Sequence, residues 1–161
     1  MSRALIIVSG AWIAVTAVGM SQERSGMSGL DAIFTRQASL DMSSITFRSM
    51  VDAIKAGGEA KSQGYPAAAL AKWAKALPQM FPPGSGKGET SVSTQARSLI
   101  WADRAGFDRA AAAYVDATAR LSALAAANDT PGFSQQLEKV NQACASCHAR
   151  YKEGAQGPPQ K

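Results

Sequence analysis

The segment 131–153 reads PGFSQQLEKVNQACASCHARYKE and contains both cysteines and the only histidine of the 161-residue chain. The turn 128–131, Asn-Asp-Thr-Pro, supplies a helix N-cap and a first-turn proline just before it. The apolar residues then recur at helical spacing, and the cysteines continue the same stripe: Phe133, Leu137, Val140, Cys144, Cys147 and Tyr151. The segment therefore predicts an amphipathic helix that carries its chemistry on the buried face.

The last part of this helix contains one motif with a known chemistry. Cys144-Ala145-Ser146-Cys147-His148 is a C-x-x-C-H sequence, the attachment signature of c-type haem. Cysteines three residues apart lie on one side of a helical turn, so their sulfurs can reach the two vinyl groups of one porphyrin. His148 then offers an imidazole as the proximal iron ligand. The sequence therefore predicts haem c as a cofactor, covalently bound through Cys144 and Cys147.

Three other uses of the motif fit the chain less well. A thioredoxin-like redox pair requires a βαβ context, and this part of the chain is predicted to be helical. A zinc site requires four ligands, whereas the whole chain has two Cys and one His. A structural disulfide would leave the adjacent His148 unexplained.

The rest of the chain is predicted to form three further helices and one long loop. Helical spacing of apolar residues marks helices over 31–55, 65–77 and 94–127, and prolines and glycines mark a loop over 78–93. No stretch alternates with a period of two, so no strand is predicted. Four amphipathic helices predict an all-α fold, an antiparallel four-helix bundle with covalently bound haem c inside. The aromatic residues expected to wall the haem are Phe47, Trp73, Phe81 and Trp101.

The N-terminus is predicted to be an export signal. Arg3 precedes the uncharged, apolar stretch 4–19, which ends in small residues suited to signal peptidase. The chain then divides into a signal peptide (1–19), the bundle (20–153) and a flexible tail (154–161), and a periplasmic location is expected. An uncleaved membrane anchor is the alternative for the first segment. The net charge of +5 is spread without a basic run, which does not indicate nucleic-acid binding.

Residues 30–153 resemble cytochrome c prime (cytochrome c′), the class II c-type cytochromes. The C-x-x-C-H motif near the C-terminus, the pair Arg36-Gln37 and the pair Tyr151-Lys152 match motifs of that family. The resemblance implies that Arg36 and Gln37 approach the haem propionates and that Lys152 lies near the proximal face. It also implies that Leu40, four residues after Arg36, is the distal residue that shields the iron without binding it.

Two positions depart from the family's pattern, and both concern the pocket. The family often has an acidic residue directly after the haem histidine, where this chain has Ala149. It usually has a methionine seven residues after the arginine, where this chain has Ser43, with Met42 one position earlier. These departures affect the details of the pocket rather than the fold.

The sixth iron ligand separates two functions. Leu40 shares a helix face with Ile33 and Phe47, whereas Met42 lies about 200° further round a helix of 3.6 residues per turn. The apolar stripe therefore favours Leu40 at the iron and a five-coordinate protein that binds small gases such as NO and CO. If Met42 binds the iron instead, the chain is a low-spin electron carrier. Met50 and Met80 are formal alternatives for this ligand.

The expected partners follow from these two functions. They are NO or CO as ligands, redox partner proteins that exchange single electrons, and a second copy of the chain, since relatives often pair through the first two helices. An enzyme such as a peroxidase is not expected, because the chain has no second histidine and no distal acid or base is evident near Leu40.

Overall fold

The computed structural model describes residues 27–154, and the first long helix begins almost at once. Helix α1 is Gly29–Lys55. Ser28 is its N-cap, because the Ser28 hydroxyl accepts a hydrogen bond from the backbone N–H of Asp31 at 3.1 Å. The helix ends where Gly57 adopts a positive φ of 86°, a conformation that glycine adopts without strain.

The remaining helices follow in an order close to the predicted one. They are α2, Gly64–Ala76; a short α3, Leu99–Ala102; α4, Arg104–Ala126; and α5, Thr130–Tyr151. Two 3₁₀ turns, Ala60–Gln63 and Leu77–Met80, flank α2. Residues 81–98 form a loop without regular structure, which we call the 81–98 loop.

The four long helices form one bundle. Helix α4 packs closely against both α5 and α2, and α1 packs against α2 and α5. The heptad-spaced residues Phe107, Tyr114 and Leu121 of α4 are buried, as are Phe133, Leu137 and Val140 of α5. The predicted all-α four-helix bundle is confirmed, and within residues 27–154 no strand is present beyond an isolated bridge between Ala96 and Lys152.

One helix boundary was predicted wrongly. The sequence pattern predicted a single helix over 94–127, but residues 94–98 belong to the loop and Asp103 separates α3 from α4. Asp103 has φ −121° and ψ 58°, and its carboxylate accepts a hydrogen bond from the backbone N–H of Gly106 at 3.0 Å. It therefore acts as the N-cap of α4 and cannot continue a helix from α3. Ile100 of α3 is buried, and so is Phe107 of α4, seven residues later. The sequence therefore shows an unbroken heptad spacing although the helix is interrupted.

The 81–98 loop is held against the bundle by a buried arginine. The guanidinium of Arg36 on α1 donates to the backbone and side-chain oxygens of Ser85, to the Thr94 hydroxyl at 2.8 Å and to the backbone oxygen of Met80. It also lies 4.7 Å from the centre of the Phe81 ring. Because these partners come from both ends of the loop, one side chain closes the loop over the end of the bundle.

The same loop is joined to the chain just past α5. The backbone N–H of Arg97 donates to the backbone oxygen of Tyr151 at 3.0 Å, and the backbone N–H of Glu153 donates to the backbone oxygen of Gln95 at 2.8 Å. The segment that follows His148 is thereby fixed by backbone hydrogen bonds.

Two sequence predictions lie outside the described residues. They are the signal peptide, 1–19, and the C-terminal tail apart from Gly154. Among residues 27–154, no helix is both long and apolar enough to cross a membrane.

Candidate functional site

A cavity of about 700 Å³ lies between α1, α4, α5 and the 81–98 loop. Its volume is within the range of sites that enclose a cofactor or another small molecule. Helix α5 lines one wall with Cys144, Cys147 and His148, so the three residues of the motif face one space. The two cysteines are half-buried against the core, are not bonded to each other, and continue the buried stripe that begins at Phe133.

The environment of the motif keeps its side chains uncharged. Burial raises the pKa of the Cys144 thiol to about 11, with a smaller contribution from Cys147, whose own pKa is also raised by burial. Partial desolvation lowers the pKa of His148, and the positive charge of Lys152 lowers it further. A neutral imidazole is the form of histidine that binds a metal ion, so this wall suits an iron ligand.

The opposite wall is one face of α1. Leu40, Ser43, Ser44 and Phe47 line the cavity at positions i, i+3, i+4 and i+7. Met42 points away from this face, and 62% of its surface is exposed. Leu40 therefore faces the cavity and Met42 does not, which is the arrangement that the apolar stripe of α1 predicts.

The mouth of the cavity near the 81–98 loop carries positive charge and hydrogen-bond donors. Arg36, Gln37 and Lys152 all line this region. Burial lowers the pKa of Arg36 to about 10, yet the side chain remains charged at neutral pH. Its hydrogen-bond acceptors are all neutral oxygens, and within residues 27–154 no carboxylate lies within ion-pair distance of it. Gln37 uses its side-chain amide to donate to the Ser93 backbone oxygen at 2.9 Å.

The residues present fit haem c. Two thiols and a neutral imidazole share one wall, apolar residues line much of the interior, and an unbalanced buried cation lies at one end, where propionate groups carry negative charge. On α1, Arg36 and Phe47 are separated by about 16 Å of helix, so the cationic end and the apolar end are well apart.

The predicted wall was partly correct. Phe47 and Phe81 line the cavity, but Trp73 and Trp101 do not. The indole of Trp101 donates instead to the backbone oxygens of Phe81 and Pro82, at 3.2 and 3.1 Å, and so braces the 81–98 loop. The sequence pattern could not distinguish aromatic residues that face the cavity from those that pack elsewhere in the bundle.

Three aromatic residues of the wall were not identified as site residues from the sequence. They are Phe107, Tyr114 and Tyr151. Phe107 and Tyr114 occupy heptad positions of α4, a spacing that predicts only a buried helix face. Tyr151 lies almost one turn after His148 and was noted only in the Tyr151-Lys152 pair that matches the family. These three residues could have been predicted from their positions, because they lie on buried helix faces that pack against, or continue, the buried stripe of α5.

The turn that follows His148 is held by a polar cluster. Arg150 donates to Asp103 at 2.7 Å, and the Tyr151 hydroxyl donates to the same carboxylate at 3.3 Å. The backbone hydrogen bond from Gly106, aided by the charge of Arg150, lowers the pKa of Asp103 below its usual value. The carboxylate therefore stays ionised at neutral pH and ties the end of α5 to the start of α4.

Comparison with known proteins gives a consistent result across most of the chain. The family profile described as Cytochrome C′ matches residues 31–152. A cytochrome c′ of Alcaligenes xylosoxydans xylosoxydans is 32% identical over 130 residues, which cover 76% of this chain and 94% of that relative. A cytochrome c′ of Rubrivivax gelatinosus is 33% identical over 73 residues, which cover 45% of this chain and only about half (54%) of that relative.

Solved structures agree with the sequence matches. The crystal structure of cytochrome c′ from Rubrivivax gelatinosus has a TM-score of 0.69 at 27% identity, covering 78% of this chain and 97% of its own. A nitric oxide complex of a cytochrome c′ variant from Alcaligenes xylosoxidans has a TM-score of 0.69 at 28% identity, covering 78% of this chain and 95% of its own.

Proposed function

Because this chain belongs to the cytochrome c′ family, we propose that it is an exported protein that binds small gases such as NO and CO at an open sixth position of its haem iron. Haem c, attached through Cys144 and Cys147, is its cofactor. When bound, haem supplies an iron that takes up diatomic gases and gains or loses one electron. In this proposal His148 is the protein ligand of the iron.

The position of Leu40 is the single observation that carries this proposal. Leu40 lines the cavity on the wall opposite the motif, whereas Met42 is on the exposed face of the same helix. Among residues 27–154, no methionine lines the cavity, and Met50 is fully buried in the core instead. Because the low-spin alternative needs a methionine thioether on the inner face, the wall supports a shielded site that a gas can enter.

The cationic mouth supports roles for the remaining site residues. We assign Arg36 and Gln37 to the propionate groups, and Phe47 to apolar contact at the opposite end of α1. Lys152, which lies close enough to His148 to lower its pKa, keeps a positive charge beside the motif. Such a charge attracts an anionic ligand or an acidic redox partner.

Gas binding is tested by optical titration of the purified ferrous protein with CO and with NO. The expected result is that the main haem absorption band shifts on addition of either gas, with saturation at one gas molecule per chain. A spectrum that is indifferent to CO would contradict the proposal and favour the electron carrier, in which Met42 occupies the sixth position. The nitric oxide complexes of the relative from Alcaligenes xylosoxidans support the expected result.

We propose that the protein binds gases and that its iron gains or loses one electron, without catalytic turnover of a substrate. The chain has a single histidine, which is committed to the motif, so no second imidazole is available as a distal acid or base. A periplasmic location is part of the proposal and rests on the export signal predicted at 1–19, outside the described residues.

We also propose that two copies associate through the outer face of α1. Four large apolar side chains are exposed there, and they lie within about 120° of the helix circumference: Leu30, Phe34, Met42 and Ile45, with 38%, 54%, 62% and 58% of their surfaces exposed. An apolar stripe of this kind is typical of a protein interface. A second copy of α1 offers the same stripe and is therefore a matching partner.

Phe34→Glu is expected to convert the dimer into a monomer, because it places a charge in the centre of the stripe. The measurement is the molar mass in solution by light scattering at several concentrations. Ala112→Glu adds the same charge to an exposed position of α4 and should leave the dimer intact. A wild-type monomer, or a Phe34→Glu variant that remains a dimer, would contradict this interface.

A further inference from the structure

The carboxylate of Asp103 has two separate tasks. One oxygen, Oδ1, accepts the capping hydrogen bond from the backbone N–H of Gly106 at 3.0 Å and so begins α4. The other oxygen, Oδ2, accepts from the Arg150 guanidinium at 2.7 Å and from the Tyr151 hydroxyl at 3.3 Å. Because the cap and the contact with α5 use different oxygens, a substitution can remove the second task and keep the first.

The residues that Asp103 holds belong to the turn of α5 that carries His148. Tyr151 is three residues after His148, and side chains at this spacing are neighbours on a helix surface. Tyr151 is buried, and its ring packs edge-on against Phe107 of α4 with 5.4 Å between ring centres. The backbone oxygen of His148 accepts from the N–H of Lys152 at 3.0 Å, so His148 is part of the same hydrogen-bonded turn. A displacement of this turn would therefore displace the imidazole.

The turn is held from two sides. The 81–98 loop holds its backbone, through the hydrogen bonds that Arg97 and Glu153 donate. Asp103 of α4 holds its side chains. The Arg150 side chain is 60% exposed, and an ion pair with so much solvent around it contributes little to the free energy of unfolding. The contact with Asp103 therefore fixes the geometry of the turn more than it stabilises the bundle.

We propose that Asp103 is a positioning residue for His148: through Arg150 and Tyr151 it fixes the place from which the imidazole binds the iron, and it thereby sets the strength of that bond. This inference rests on the proposed function, in which His148 is the protein ligand of the iron. Groups outside the ligand shell orient metal-binding histidines and tune the metal that they bind. Asp103 acts in this way through the helix turn and without touching the iron ligand itself.

The test is the iron–histidine stretching band in the resonance Raman spectrum of the ferrous protein without added gas. The wild type is compared with Asp103→Asn and Arg150→Met. Asparagine keeps an oxygen that can cap α4 but lacks the charge that holds Arg150. Both variants release the turn, so both should broaden the band and shift it in the same direction. Removal of a negative charge and removal of a positive charge affect the iron in opposite ways, so a shared shift comes from the turn.

Asp129→Asn is the matched control. Asp129 caps α5 as Asp103 caps α4, since its carboxylate accepts from the N–H of the glycine three residues later at 2.9 Å. It lies at the opposite end of α5 from His148. The same substitution there should leave the band unchanged. Circular dichroism of all three variants establishes that they are folded.

Hydrogen exchange of the backbone amides gives a second readout that does not depend on the iron. The amides of Lys152 and Glu153 donate within and just after the turn. They should exchange about tenfold faster in Asp103→Asn and in Arg150→Met, because a hydrogen bond between charged groups is lost. Asp129→Asn should leave these two rates unchanged.

Each outcome has a distinct meaning. A shared shift of the band in Asp103→Asn and Arg150→Met, absent from Asp129→Asn, supports the inference. Shifts of opposite sign, a band at the wild-type position even where exchange is faster, or unchanged exchange in both variants overturn it and leave the proposed function intact. The absence of an iron–histidine band in the ferrous wild type, expected when a second protein ligand binds the iron, overturns the proposed function itself, and this inference with it.

Discussion

Replacing Leu40 with alanine should speed the binding of CO and NO on the order of ten- to a hundredfold. In the proposed function, an incoming gas has to displace the leucine from the wall opposite the motif, and such crowding in a packed site costs about 1–3 kcal/mol. Removing that cost from the barrier gives the stated rise in rate. The measurement is stopped-flow or flash-photolysis kinetics of the ferrous protein with each gas.

The matched control for this prediction is Met42→Ala. Met42 lies two residues further along α1 but on the exposed face, so its truncation should leave the association rates unchanged. The two variants separate the two functions. If Met42 were the sixth ligand, the pattern would reverse: Met42→Ala would open the site and Leu40→Ala would change little. Unchanged kinetics in Leu40→Ala would refute its role as the distal shield.

Replacing Arg36 with methionine should lower the free energy of unfolding by about 2–4 kcal/mol, the range expected when a buried, charged donor to several oxygens is removed. The substitution keeps much of the apolar bulk but leaves the Ser85 and Thr94 oxygens without their donor. The 81–98 loop should then detach first. Urea unfolding measures the first effect, and limited proteolysis between residues 81 and 98 measures the second.

Arg48→Met is the control for the loss of charge. Arg48 is on the same helix but is exposed, and its hydrogen bond goes only to the nearby Ser44 hydroxyl at 2.8 Å. Its replacement should change the unfolding free energy by less than about 0.5 kcal/mol. Equal stability of the two variants, with no added cleavage in the loop of Arg36→Met, would show that Arg36 does not anchor the loop.

Features that depend on nearby residues could be predicted from the sequence. The stripe from Phe133 to Cys147 and the adjacent His148 are local patterns, so the helix and its motif were predictable. The orientation of Leu40 relative to Met42 was also predictable, since two positions on one helix differ by a fixed angle. The structure confirms the fold class, and the similarity to cytochrome c′ proteins confirms the family and its covalent haem c.

Features that depend on distant residues could not be predicted in this way. Arg36 meets Ser85 and Thr94, which are 49 and 58 residues away, and nothing in their local sequence indicates the contact. The family resemblance implied a role for Arg36 toward the haem propionates, and its role in holding the loop was not predicted. Tyr114 was not predicted as a site residue, because a heptad position does not reveal that two other helices leave a cavity in front of it.

The break at Asp103 shows a second limit of periodicity. Ile100 and Phe107 are seven residues apart and both buried, yet a residue with non-helical angles separates their helices. The spacing was preserved because α3 leads directly into α4, so only the cap at Asp103 marks the boundary. A hydrogen bond from Gly106 three residues later is a capping pattern that competes with continuous helix at this position.

The central claim is that the iron has one protein ligand and an open, shielded sixth position. The electron paramagnetic resonance spectrum of the purified ferric protein at neutral pH tests it most directly, because the spin state reports the number and strength of the axial ligands. The proposal predicts a high-spin ferric signal, as expected for His148 alone opposite Leu40. A low-spin signal typical of histidine and methionine ligation would contradict it and would place a methionine in the position that we assign to a gas.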